Sequence, residues 1–333
     1  MSFSLSRTAT LLSLSVIVFA FLYQQFSKSK MVEIKTVAVL GAGGNVGKAI
    51  LPVLLNSTLK VTVISRPDSK SSFPSNITVL KSAYDTESLT HALKGQDAVI
   101  SLVAGPAIAS QKTVIDATLA AGVKWFIPSE FGSDTPDQRI VDFLPMGKGK
   151  VDVADYLRSK EKEGLSWTGL ITGLFFDWGL PRGSFQFDLK SKTGTLWDGG
   201  RVRFSATNLP TIGHALVNLL TDPSKQAAAK NKHIYIRSFT TTQSEILSAL
   251  EKVTGEKWDV KDVPSAPIKD SARKRLAKGD FSAVSDLLKY LAYGDIALGG
   301  FEEKAEEGVK LLLPDHKETV VETVRKVVEN AKL

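Results

Sequence analysis

Residues 36–55 constrain the fold of this chain more than any other stretch. Thr36 to Leu40 reads TVAVL, a short buried-strand pattern, and it runs directly into Gly41-Ala42-Gly43-Gly44-Asn45-Val46-Gly47. A helical pattern follows from Lys48 to Leu55. Strand, glycine turn and helix in this order form the unit that holds a dinucleotide at the first turn of a parallel sheet. Gly41 permits the tight turn. Gly43 and Gly44 carry no Cβ, so the backbone can approach a pyrophosphate, and Gly47 lets the helix pack close to the strand. Asn45 and Val46 fall at the helix start, where free N–H groups and a partial positive charge face the phosphates.

The alternation continues. Lys60 to Ser65 is a second strand, and Arg66 stands at its end. An acid at that position would bind a ribose 2′-hydroxyl; an arginine suits a 2′-phosphate. The expected cofactor is therefore NADPH, with Lys70 and Ser65 assisting Arg66. Strands are expected at 77–80, 98–103 and 123–127, with helices at 88–93 and 111–121 between them. This gives an α/β chain, a Rossmann doubly wound parallel sheet with ligands at the carboxyl ends of its strands. Beyond it, helices are expected at 209–220 with Thr211 as cap, at 241–253 with a capping signal, and at 266–278, 281–293 and 319–331. Strands are expected near 233–236 and 258–263. The division this implies is residues 34–180 for the cofactor domain and 181–333 for a smaller C-terminal α+β substrate lobe.

Composition removes other classes. The chain has no cysteine, so disulfides and thiolate chemistry are excluded. His91, His214, His233 and His316 are scattered without metal-ligand spacing, which argues against a metal enzyme. The formal charge is +7, but basic clusters such as Arg273-Lys274-Arg275 are short and read as a solvated helix face. No nucleic-acid partner is expected.

Residues 1–30 stand apart. Ala9 to Tyr23 is apolar except for threonine and serine, with Arg7 before it and Lys28, Lys30 and Lys35 after it. The run is short for a membrane span and lacks a small-residue cleavage site. Two readings stay open: a membrane anchor through residues 9–23 with the catalytic domain in the cytosol, or a gene-model extension ahead of a start at Met31. The location expected is cytoplasmic in either case. Asn56 and Asn76 head glycosylation sequons, so finding them modified would contradict it.

The segment Gly122-Val-Lys-Trp-Phe-Ile-Pro-Ser-Glu-Phe-Gly132, taken with the glycine turn and Arg66, resembles the NmrA-like group of atypical short-chain dehydrogenases, in its isoflavone-reductase-like branch. Trp167 to Leu180 resembles the next strand of that branch and the pocket-facing turn after it. The resemblance implies a reductase with a lysine early in the helix after strand five. By position that is Lys148 in Met146-Gly-Lys-Gly-Lys-Val151, with Lys150 as its rival. Tyr156 and Lys160 also match the YxxxK of ordinary short-chain dehydrogenases. Phe175, Phe176, Trp178, Phe185 and Phe187 fall where the branch lines its substrate pocket, and each reads equally well as core. The expected activity is hydride transfer from NADPH to a small, aromatic or secondary-metabolite-type molecule. The competing reading is an NADP(H)-sensing regulator that binds cofactor and a protein partner without turnover. Oligomeric state has no sequence signal.

Overall fold

The computed structural model describes residues 33–331, so the apolar segment at residues 9–23 lies outside the described residues. Among the described residues, no helix is long and apolar enough to cross a membrane.

In chain order the first half runs β1 (Thr36–Leu40), α1 (Asn45–Leu55), β2 (Lys60–Ser65), β3 (Thr78–Lys81), α2 (Thr86–Leu93), β4 (Ala98–Ser101), α3 (Gln111–Ala120), β5 (Trp125–Ile127), α4 (Gln138–Phe143), α5 (Lys148–Lys160) and β6 (Ser166–Ile171). The second half runs β7 (Leu174–Phe175), α6 (Phe176–Gly179), β8 (Phe187–Asp188), β9 (Thr193–Trp197), β10 (Phe204–Thr207), α7 (Leu209–Thr221), α8 (Pro223–Ala229), β11 (Lys232–Tyr235), β12 (Phe239–Thr241), α9 (Gln243–Thr254), β13 (Asp259–Val263), α10 (Ala266–Ala277), α11 (Ala283–Tyr293), α12 (Glu302–Leu312) and α13 (Val320–Asn330).

Seven strands form one sheet in the order β11-β6-β5-β4-β1-β2-β3. Every pairing in it is parallel. Parallel sheets are covered on both faces, which is why β4 and β6 are buried along their whole length. On one face α3 and α5 bring Val114, Ile115, Val153 and Leu157 against Val99, Phe126 and Trp167. The strand order reverses between β1 and β4, so a crevice opens at their carboxyl ends.

The sheet draws on both sides of the expected division at Leu180. β11 comes from the second half and supplies one edge of the sheet. α7 lies across α1 so closely that a Cβ on Gly213 would stand 2.9 Å from Val53 Cβ. The rest of the second half forms the expected C-terminal lobe. It holds two three-stranded sheets, β12-β10-β7 and β13-β9-β8. Its core is aromatic: Phe176, Phe185, Phe187, Phe204 and Tyr293 are all buried there.

Two capping expectations separate. Thr242 and Glu245 form a reciprocal capping box at the start of α9. Thr211 does not cap α7. Asn208 holds the cap position, Asp177 accepts from the Leu209 N–H at 2.9 Å, and the Thr211 hydroxyl donates to Glu318 at 2.9 Å instead.

Candidate active site

The crevice between β1 and β4 holds two adjoining clefts. The first, of about 560 Å³, runs over the glycine turn to the end of β2. Gly41 has φ +78°, and a Cβ there would lie 2.8 Å from the Leu102 carbonyl oxygen. Only glycine fits both demands. A Cβ on Gly43 would fall 2.2 Å from Ser71 Oγ, because the loop after β2 closes over the turn. Gly44 is the N-cap of α1 and makes no side-chain cap bond, and the first turn carries no acid. The leading N–H groups of α1 therefore remain available to an anion. Asn45 sits exposed in that turn. Gly47 is buried against Ala42, where a Cβ would meet the Ala42 carbonyl oxygen at 2.4 Å.

At the far end of this cleft stand Ser65, Arg66, Ser69, Ser71 and Tyr84. The Arg66 side chain is 68% exposed, with Asp68 3.8 Å away. Lys81 donates to the Arg66 carbonyl at 3.1 Å. Lys70, expected beside Arg66, is exposed and does not line the cleft; its neighbours Ser69 and Ser71 do.

The second cleft, of about 330 Å³, shares Leu102, Val103 and Ala104 with the first. Its walls are mostly apolar, with Val46, Ile108, Phe131, Leu144, Phe175 and Leu288 among them. Its polar residues converge from the segment after β5 and from α5: Ser129, Glu130, Ser133, Thr135 and Lys150.

Here the structure separates the two candidate lysines. Lys148 points to solvent, its side chain 68% exposed and paired with Asp152 at 2.6 Å, one turn along the helix. That hydrogen bond holds its ammonium above the ordinary lysine value. Lys150 lines the apolar cleft and donates to the Glu130 carbonyl oxygen. Two positions rotate a side chain by about 200° around an α-helix, so the two lysines cannot share a face. Burial pushes the Lys150 ammonium down from the ordinary lysine value, while the Glu130 carboxylate acts in the opposite direction.

The YxxxK pair lies elsewhere. Tyr156 donates to Asp116 at 2.5 Å and Lys160 pairs with Glu163 at 3.0 Å, and neither lines either cleft. Of the five aromatic residues expected near the pocket, Phe175 lines it. Phe176, Phe185 and Phe187 are core, and Trp178 lies against the Arg182 guanidinium at 4.7 Å.

Sequence reasoning assigned no role to Glu130. It is 1% exposed and accepts from the Thr135 hydroxyl at 2.8 Å, with His233 Nε2 3.6 Å from its other oxygen. Its one sequence signal was an acid placed directly after the buried strand β5, at the ligand edge of the sheet.

A profile of the NmrA-like family matches residues 33–277. A protein named oxidoreductase aprR from Aspergillus flavus is 40% identical over 259 residues, 77% of this chain and 86% of that one. A protein named isoflavone reductase homolog IRL from Zea mays is 30% identical over 312 residues, 89% of this chain and 96% of that one. Among solved structures, one described as AtPrR2 with NADP+ and (+)pinoresinol superposes with a TM-score of 0.71 at 20% identity, covering 89% of this chain and 99% of that one. With the glycine turn and the segment after β5 both at the ligand edge of one parallel sheet, the chain belongs to the NmrA-like family.

Proposed function

We propose that the chain is an NADPH-dependent reductase of a small apolar, aromatic molecule, with Lys150 as its proton-handling group. The observation that carries this reading is the junction of the two clefts at the end of β4, with one lysine directed into the apolar one. The first cleft fits the cofactor, because its floor is a glycine cradle that a Cβ at Gly41 or Gly43 would fill. The first turn of α1, at Asn45, Val46 and Gly47, would hold the pyrophosphate. Arg66, with Ser65, Ser69 and Ser71, would take the 2′-phosphate; its exposure leaves the guanidinium free to swing onto it. Lys70, between Ser69 and Ser71, is exposed and does not line the cleft. Support also comes from the relatives, one named an oxidoreductase and one solved with NADP+ and pinoresinol.

When bound, NADPH supplies a hydride from its nicotinamide to an electron-poor carbon of the substrate. Leu102 to Ala104, which line both clefts, would lie beside the bound cofactor, Phe131, Leu144 and Phe175 would keep water from the acceptor, and Lys150 Nζ would give a proton to the atom where negative charge develops. The volume of about 330 Å³ restricts the acceptor to a small molecule.

The test is deuteride transfer. The full chain is incubated with C4-deuterated NADPH and an extract of the source cells, and products are searched by mass spectrometry. The expected result is a deuterated metabolite that the Lys150→Met variant does not make. Tight NADPH binding with no transferred label to any extract component would instead favour a cofactor-sensing regulator.

A further inference from the structure

A carboxylate as buried as Glu130 costs several kcal/mol unless charge and hydrogen bonds compensate it. Its compensation is built from three elements. Thr135 donates to Oε2 at 2.8 Å. His233 on β11 brings Nε2 to 3.6 Å from Oε1. Lys150 on α5 donates to the backbone carbonyl of the same residue rather than to the carboxylate, and so adds a nearby positive charge. Gly169 on β6 makes the space, since a Cβ there would lie 3.1 Å from Glu130 Cγ and 2.6 Å from His233 Cδ2. The imidazole stands edge-on to Trp167, ring centres 5.2 Å apart, and its buried Nε2 has no hydrogen-bonding partner with good geometry.

We propose that Glu130, backed by His233, is a positioning residue whose backbone carbonyl holds Lys150 in the apolar cleft and whose buried carboxylate favours the ammonium form, so that Lys150 enters the reaction as an acid. The role in a reaction rests on the reductase reading; the charge relation between the two residues does not.

The neighbouring charges are otherwise occupied. Lys148 and Asp152 pair on the outer face of α5. Asp134 pairs with Lys304 of α12 and accepts from Tyr235 of β11. Asp137 pairs with Arg139 of α4. Glu130 is left as the carboxylate that acts on Lys150. Two effects compete on that ammonium: burial favours the neutral amine and Glu130 favours the cation. Hydride arrival on a conjugated substrate creates negative charge that needs a proton, which an ammonium can give and an amine cannot. For Glu130 itself burial alone would raise the carboxyl, but His233, Lys150 and Thr135 more than offset that and hold it below the usual range.

The experiment is competitive amine labelling of the full chain. Brief pulses of acetic anhydride are given across a pH series, and Lys150 and Lys148 are quantified by mass spectrometry. Only the free amine reacts, and exposed Lys148 serves as the internal reference. In Glu130→Gln the Lys150 labelling midpoint should fall to lower pH, with labelling at pH 7 relative to Lys148 rising roughly tenfold or more. Glu130→Asp should restore much of the wild-type profile. A uniform rise with an unmoved midpoint would mean loosened packing only and would overturn the proposal, as would no change. If Glu130→Gln does not fold, Lys150→Met is examined by carboxyl NMR of 13C-glutamate-labelled protein: one glutamate must titrate at higher pH, and an unchanged spectrum overturns the proposal. Neither readout needs a substrate. A moved midpoint with no deuteride transfer would sink the reductase reading and leave this relation standing.

Discussion

Lys150 shows what a single residue's environment decides. Its face of α5 was legible in the sequence: Val153, Ala154 and Leu157 are the buried residues of the helix, and Lys150 falls three, four and seven positions before them. Lys148 falls off that stripe. Motif position favoured Lys148, two residues earlier, because the start of the helix is itself a Gly-Lys-Gly run with no apolar pattern. The glycine turn was legible in full, since Gly41, Gly43 and Gly47 each meet a backbone or side-chain atom that leaves no room for a Cβ. Glu130 was legible only as an acid after β5, because its partner His233 lies 103 positions on in another strand. A direct test follows from the helix face. On the acceptor identified by deuteride transfer, Lys150→Met should lower kcat by roughly a hundredfold or more and leave NADPH binding intact. Lys148→Met, which removes only an exposed ion pair, should leave kcat unchanged. Steady-state kinetics and cofactor fluorescence titration check both, and the reverse ranking would return the role to Lys148.

At the scale of elements, legibility followed apolar contrast. β1 and β2 fall where their runs of Val, Leu and Ile place them, and the Thr242–Glu245 box starts α9 where the spacing requires. α12 was missed. Its buried positions are Ala305, Gly308 and Leu312, spaced as a helix face, but two are small and four glutamates surround them. The small residues serve close packing: a Cβ on Gly308 would lie 2.1 Å from the Tyr235 carbonyl oxygen of β11. Residues 316–318 were equally silent, yet they tie the last helix to α7. Glu318 accepts from His316 at 2.8 Å, from Thr211 at 2.9 Å and from Ser238. Burial alone would raise its carboxyl, but hydrogen bonds from His316, Ser238 and Asn208 outweigh that and bring it from 4.5 to about 2. A depressed carboxyl stabilises the fold fully above its unfolded value, and the contribution fades as pH falls toward the folded one. Glu318→Gln should therefore destabilise the protein by roughly 2–3 kcal/mol at pH 7. The difference from wild type should shrink steadily between pH 5 and pH 3. Urea unfolding at several pH values measures it, and a difference independent of pH would refute the assignment.

For the whole molecule, the consequential feature is that the cofactor sheet is not made by the cofactor half alone. A boundary at Leu180 looked natural because the strand–helix alternation and the glycine turn both lie before it, and no sequence pattern announces that a later strand returns. The return matters energetically. β6 is buried at all six positions, and without β11 it would be an open, apolar edge, the kind of strand that pairs with other chains. α1 would also lose α7, which covers it through the Gly213–Val53 approach, and α1 is the helix whose first turn faces the proposed pyrophosphate. A chain cut after Leu180 should consequently fail to bind NADPH and should aggregate, even though it keeps every residue assigned to the cofactor. Extending the cut to Leu313 restores β11, α7 and α12 together and should recover binding, although it lacks Glu318 and α13 and should unfold at lower urea. Isothermal titration with NADPH, paired with light scattering, separates these outcomes. A monomeric, NADPH-binding fragment ending at Leu180 would show that the first six strands fold as an independent domain and that β11 is an addition to it.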